Sequence, residues 1–171
     1  MGTEITTTNQ TSLTVWRKPS WPDALQRLVS SPSSYEGFPV VGPKTVEQLQ
    51  AYLAHPEPPL AEPSWIETQL FAFKIKPHKS KSDMDWALLL RVNLTALSDF
   101  SRVDLGYAFG RLMRESKWFP DVSEIVEKAE YARWQREFRK KQAKDLIMKH
   151  QREWRAPIPD DQLCKPEDVA S

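Results

Sequence analysis

A run without a helix breaker constrains this chain more than any other feature. From Val122 to Arg155 there is neither proline nor glycine, and Ala156-Pro157 closes the run. A stretch of more than thirty residues rich in Ala, Glu, Lys, Arg and Gln predicts one long α-helix. At 100° per residue, Val122, Ile125, Val126, Ala129 and Ala132 fall within a sector of roughly 120°, an apolar stripe for packing on a core. The same face then turns basic: Arg133, Arg136, Lys140 and Lys144 lie within roughly 80° of one another, in line with the stripe. Tyr131, Trp134 and Phe138 gather on the opposite side. Between Glu127 and Arg155 there are ten basic and five acidic residues, a local net charge of +5 in a chain whose total is +1.

A helix packed on one body throughout keeps one apolar face, and this one does not. Two readings follow. Either the helix leaves the body near Ala132 and projects, offering a basic stripe backed by aromatics. Or the chain kinks, Tyr131, Trp134 and Phe138 pack on N-terminal elements, and the arginines reach outward along the surface. Further on, Ala143, Ile147, His150 and Trp154 resume an apolar stripe that could seat a second chain.

The entry to the long helix is Ser116-Lys117-Trp118-Phe119-Pro120-Asp121-Val122-Ser123-Glu124-Ile125. Asp121 with Glu124 three residues later reads as a capping box, and Pro120 stands just outside the helix, where its missing N–H costs nothing. Trp118 and Phe119 read as structural anchors that fix how the chain enters. Upstream, Ser20-Trp21-Pro22-Asp23 starts a short helix with Leu25, Leu28 and Val29 on one face, and Ser30-Ser31-Pro32 stops it. Two more capping boxes are expected, Thr45 with Gln48 and Ser64 with Glu67, and Ser101 with Asp104 marks a further helix start. Four prolines between residues 56 and 63 predict a stiff extended connector. The segment 83–97 is apolar over much of its circumference, which suits a helix central to a bundle. Gly106 and Gly110 share one face of the next helix, and a close neighbouring helix is the expected reason for them.

Chemistry-bearing patterns are scarce. His55, His78 and His150 sit in different segments, with no Ser, Cys or carboxylate at a telling spacing, so no catalytic residue is assigned. None of the five glycines forms a phosphate-cradling pattern. Cys164 is the single cysteine, which removes internal disulfides and Cys-based metal sites; no metal and no cofactor is expected. No stretch approaches eighteen apolar residues, and no membrane association is expected. The local basic charge next to aromatics leaves contact with nucleic acid or with a protein partner open.

The segment from Leu105 to Ile125 resembles a pattern in small phage and prophage proteins. In those chains a helix ends in Lys-Trp-Phe-Pro or Lys-Trp-Trp-Pro, and Glu-Ile or Glu-Leu opens the next one. The matching residues are Lys117, Trp118, Phe119, Pro120, Glu124 and Ile125, with Asp121 where the pattern usually has Thr or Ser. Some of those proteins are similar to replication proteins of the helicase-loader type, helical adaptors that bring a replicative helicase to its site. The resemblance covers about the middle third of the chain. It implies an all-helical fold and the cytoplasm of a bacterial host cell.

The expected fold is an all-α small helical bundle with a long C-terminal helix and disordered termini. Its expected divisions are a disordered arm over 1–19, the bundle over 20–132, an extension of the long basic helix over 133–156, and a disordered acidic tail over 157–171. The expected function is a non-enzymatic adaptor in phage or prophage DNA replication. It would contact a replicative helicase or DNA through Arg133, Arg136, Lys140 and Lys144, with Tyr131, Trp134 and Phe138 as apolar anchors. On that view charge reversal at Arg136 and Lys140 abolishes binding and leaves the melting temperature alone. The alternative is a structural or morphogenetic phage protein that associates with itself through Ala143, Ile147, His150 and Trp154.

Overall fold

The computed structural model describes residues 16–17, 19, 22–31, 35–77 and 83–156. The expected disordered arm, apart from 16, 17 and 19, and the acidic tail over 157–171 lie outside the described residues. The rest is all-α: α1 Asp23–Ser30, α2 Pro43–Leu53, α3 Pro63–Ala72, α4 Asp83–Leu97, α5 Arg102–Glu115 and α6 Val122–Glu153, with single 3-10 turns at Tyr35–Gly37 and Phe73–Ile75. α6 runs as one helix of 32 residues, as the breaker-free run requires.

The chain forms two compact units, which differ from the expected single bundle over 20–132 with an extension over 133–156. One unit is built from Glu57–Val126. The other joins Trp21–Pro56 with the part of α6 from Glu127 onward.

In the unit over Glu57–Val126, aromatic rings organise the core. Phe73 is buried, with ring centroids 5.9 Å from Phe109 and 6.2 Å from Phe119. Trp86 meets Phe119 edge-on at 5.6 Å. Ile66, Leu70, Leu97, Leu105, Leu112 and Ile125 complete the apolar interior. The proline-rich connector is pinned by an antiparallel bridge between Leu60 and Ser101, where Ala61 N donates to Phe100 O and Arg102 N to Pro59 O. Lys76 donates from Nζ to the carbonyls of Leu112, Met113 and Ser116 at the C-terminal end of α5, where Leu112 O also accepts from Ser116 N.

Several local expectations change. Ser101 caps α5 as expected, accepting from Asp104 N and donating to its Oδ2 at 2.8 Å. At α6 half of the box forms: Glu124 Oε2 accepts from Asp121 N at 2.8 Å. The boxes at Thr45 and Ser64 do not form, because α2 and α3 start earlier, at Pro43 and Pro63. Proline at the first helical position brings a preset φ, which fixes the start ahead of the polar residue. α4 buries one face, with Trp86, Asn93 and Leu97, and leaves Leu88 and Val92 exposed, so it is not central. Of the expected anchors, Phe119 and Pro120 hold: Phe119 N donates to Pro77 O, and Pro120 is fully buried. Trp118 does not anchor; it is 60% exposed, with Lys117 Nζ over its ring at 5.9 Å.

Gly106 and Gly110 also depart from expectation. Both are exposed, and a Cβ added at either meets nothing within 4 Å. No close neighbour requires glycine there. Gly106→Ala and Gly110→Ala are each expected to stabilise by about 0.5–1 kcal/mol through helix propensity. Each should raise the melting temperature by a few degrees; a decrease would mean the face is covered by something the open space does not show.

In the second unit, α1, α2 and α6 share one core. Leu25 and Val29 of α1, Phe38 and Val41 of the connecting segment, and Val46 and Leu49 of α2 bury against Ala143 and Leu146 of α6. Leu28, Tyr52, Leu53 and Ile147 pack at its edge. Two polar ties reinforce the arrangement. Lys149, itself buried, donates from Nζ to Glu36 O at 2.9 Å. His150 Nδ1 lies 2.5 Å from Val41 O, and since a carbonyl only accepts, Nδ1 carries that proton.

Candidate interaction surface

The packed stripe of α6 drifts in angle along the helix. Ala143, Ile147 and His150 fall in the sector that Ile125, Ala129 and Ala132 occupy roughly three to seven turns earlier, whereas buried Leu146 lies roughly 40° outside it and buried Lys149 roughly 100° outside. Arg136 and Lys140 lie on this same inward side, with side chains only 20% and 17% exposed. Arg133 and Arg139 are half-buried, and Lys144 is exposed. Their aliphatic stems cover apolar surface, Arg136 is covered as far as its Nε, and both Arg136 Nη1 (3.2 Å) and Lys140 Nζ (3.9 Å) lie close to Glu137 Oε1. The expected basic binding stripe is therefore largely a packed face.

Each of the two sequence readings supplies one half of the outcome. α6 does not project beyond Ala132, because residues 143–150 pack on α1 and α2. The cations lie inward with snorkelling stems, as the fold-back reading had it. The aromatics do not pack on N-terminal elements: Tyr131 is 46% and Trp134 58% exposed, and Phe138 is half-buried. The stripe over Ala143, Ile147, His150 and Trp154, expected to seat a second chain, is used within this unit. There His150 binds Val41 O and stacks on Trp154 at 5.2 Å.

The three aromatics form a ladder along the helix. Tyr131 and Trp134 have centroids 6.1 Å apart at 26°, and Trp134 and Phe138 are 5.3 Å apart at 24°. Spacings of three and four residues bring neighbouring rings over one another. Gln135 Nε2 donates to Tyr131 Oη at 2.6 Å, and Arg139 Nη2 donates to Gln135 Oε1 at 3.4 Å, which holds the Tyr131 end of the ladder in place. Rings already stacked lose little side-chain freedom on meeting a partner.

Two ionisations mark the inward side. Burial pushes the Tyr52 phenol above its ordinary value of 10.0, against the opposing pull of Arg139 and Arg136. Burial, and then the neighbouring Lys144, holds the Lys140 ammonium below 10.5. The two act oppositely on stability in alkali. For Lys140 the unfolded chain binds more protons between the lowered folded value and 10.5, so stability rises with pH in that window. For Tyr52 the folded chain keeps its proton longer, so stability falls as pH rises from 10.0 through the raised folded value. Lys140→Met retains the stem and removes a charge that is only partly desolvated. It is expected to stabilise by roughly 1 kcal/mol or less at neutral pH and to abolish the alkaline rise, as a urea titration at pH 7 and pH 10 reads directly.

Among the described residues no group of three or more His, Cys, Asp or Glu is placed to hold a metal, and no helix is long and apolar enough to cross a membrane. The 100° spacing places both acids and bases in the ladder's sector: Glu127 and Asp145, and further along Lys149 and Arg152. No protein-family model, no curated protein and no solved structure matches the chain.

Proposed function

We propose that this chain is a non-enzymatic helical adaptor that docks a protein partner through the aromatic ladder of α6, in phage or prophage DNA replication within the bacterial cytoplasm. The observation that supports docking is Trp134, 58% exposed at the centre of three stacked rings. Exposed, pre-stacked aromatics are the residues that carry binding energy at protein interfaces. The replication setting rests on the resemblance of Leu105–Ile125 to helicase-loader-type proteins, which makes a replicative helicase the first partner to test. Arg133, Arg136 and Lys140 serve here to support the helix, Lys144 stays exposed beside them, and the ladder serves as the contact.

The test is affinity purification of the intact chain and of Trp134→Ala from nuclease-treated lysate of a phage-bearing bacterium. Recovery of the replicative helicase with the intact chain, falling at least tenfold with Trp134→Ala at an unchanged melting temperature, is the expected result. Equal recovery with the variant would remove the ladder from the contact. Absence of the helicase from both samples would end the helicase-loader proposal.

A further inference from the structure

The exposed side of α6 carries both signs of charge, ordered about one ring. Glu127 stands seven residues before Trp134 and Lys141 seven residues after it. At 100° per residue both fall within roughly 20° of Trp134, and both are exposed. Tyr131 precedes Trp134 by three residues and Phe138 follows it by four, roughly 60° and 40° round to the same side. The other charges here are Glu130 and Glu137 on the opposite flank, then Asp145, and further along Lys149 and Arg152. Glu137 lies 3.2 Å from Arg136, and Lys149 is buried with its Nζ on Glu36 O.

This order selects among partners. A basic segment meets Lys141 at one end of the ladder, and a phosphate backbone meets Glu127 and Glu130 at the other, so neither finds a matching field along the whole ladder. A second α6 laid antiparallel does. With a two-fold axis at Trp134, the two Trp134 rings meet, and each Glu127 faces Lys141 of the second copy. Tyr131 comes level with Phe138 of the second copy to within about 1.5 Å along the axis. Glu127 shares its carboxylate with Lys128 Nζ of its own chain, 3.1 Å away. A parallel pair would set Glu127 on Glu127 and Lys141 on Lys141, which counts against it. On the outer flank Glu130 comes level with Glu137 of the second copy, and Lys141 of that copy lies within about one turn of both. Asp145 comes level with Ser123, and the positions opposite Lys149 and Arg152 precede Val122, where α6 begins.

We infer that this chain pairs with a second copy of itself, α6 antiparallel to α6, through Tyr131, Trp134 and Phe138, with Glu127 and Lys141 setting the register. Pairing covers the ladder, so a protein partner docks there only when the two copies part. That regulatory consequence rests on the docking role proposed above, whereas the pairing stands on the face of α6 alone.

The experiment is sedimentation equilibrium of the full chain between about 5 and 500 µM, a range suited to an interface of one helix face. Glu127→Lys, Lys141→Glu and an equimolar mixture of the two are run beside it, each checked for an unchanged circular dichroism spectrum. Expected is a mass that rises with concentration from the 19.8 kDa of one chain toward twice that value. Each single variant turns both interchain pairs into like charges and should associate about tenfold more weakly. In the mixture both positions of one chain are basic and both of the other acidic, so association should return to within about threefold of the parent. Trp134→Ala should weaken association at least tenfold. The mass of one chain at every concentration would overturn the pairing. Association that Trp134→Ala weakens but the charge variants leave alone, or that the mixture fails to restore, would overturn the antiparallel register. Helicase recovery separates this inference from the docking role. A chain that stays single and recovers the helicase through Trp134 leaves docking without pairing, and a paired chain that recovers none leaves pairing without docking.

Discussion

Leu146→Ala is expected to destabilise the unit formed by α1, α2 and α6 by about 3 kcal/mol. Leu146 is fully buried, in one cluster with Leu25, Val29, Phe38, Val41, Val46 and Leu49. Truncation removes the transfer free energy of three carbons and leaves a cavity that three short, separately anchored segments close only in part. The dependence is strong because α1 has 8 residues and α2 has 11, too few for either to persist alone in water. Their helicity comes from the apolar surface that α6 offers them. Urea denaturation gives the free-energy loss, and hydrogen exchange locates it: amides of Leu28 and Leu53 should lose protection together. A loss under about 1 kcal/mol, the value for an exposed leucine, would mean that residues 143–150 do not seat α1 and α2 and that α6 projects after all.

How much of this could be read from the residues depends on the range of the interactions involved. Helix positions come from short-range rules, and the six helices fall where breakers and apolar periodicity place them. Ser101 works as a cap because nothing upstream competes with it. Thr45 and Ser64 do not, because Pro43 and Pro63 already fix the first turn, a competition between two local rules that only geometry decides. The pairing of α1 and α2 with a segment about 100 residues later was not legible, since periodicity says which face is buried and not against what. The same gap explains Trp118, whose size suggested an anchor while Phe119, one residue later, is the ring that meets Phe73 and Trp86. Successive residues in a tight connection point different ways, and spacing alone does not choose between them. On α6, Arg133, Arg136 and Lys140 do continue the apolar stripe of the first turns, as their spacing requires. Their meaning reversed, because long cationic side chains can occupy a packed face and still keep their charge near water.

That reversal makes the paired charge change at Arg136 and Lys140 the most informative variant of the helix. As a binding stripe, the two positions would tolerate Arg136→Glu/Lys140→Glu at full stability and lose the partner. As a packed face they should not tolerate it. Glutamate is too short to carry its charge out past side chains that leave Arg136 and Lys140 only 20% and 17% exposed. It also places two new carboxylates beside Glu137, whose Oε1 lies 3.2 Å from Arg136 and 3.9 Å from Lys140. Two favourable contacts become two repulsive ones, and desolvation is not offset. The expected cost is about 3 kcal/mol, which for a chain of this size lowers the melting temperature by several degrees and more. Lys140→Met, which removes charge and keeps volume, should move the other way, so the pair separates a charge effect from a packing effect. Partner recovery through the ladder, measured well below the variant's melting temperature, should stay within about twofold of the parent, since Tyr131, Trp134 and Phe138 lie on the opposite face. Lost binding at an unchanged melting temperature would return Arg136 and Lys140 to the contact surface and displace the ladder from it.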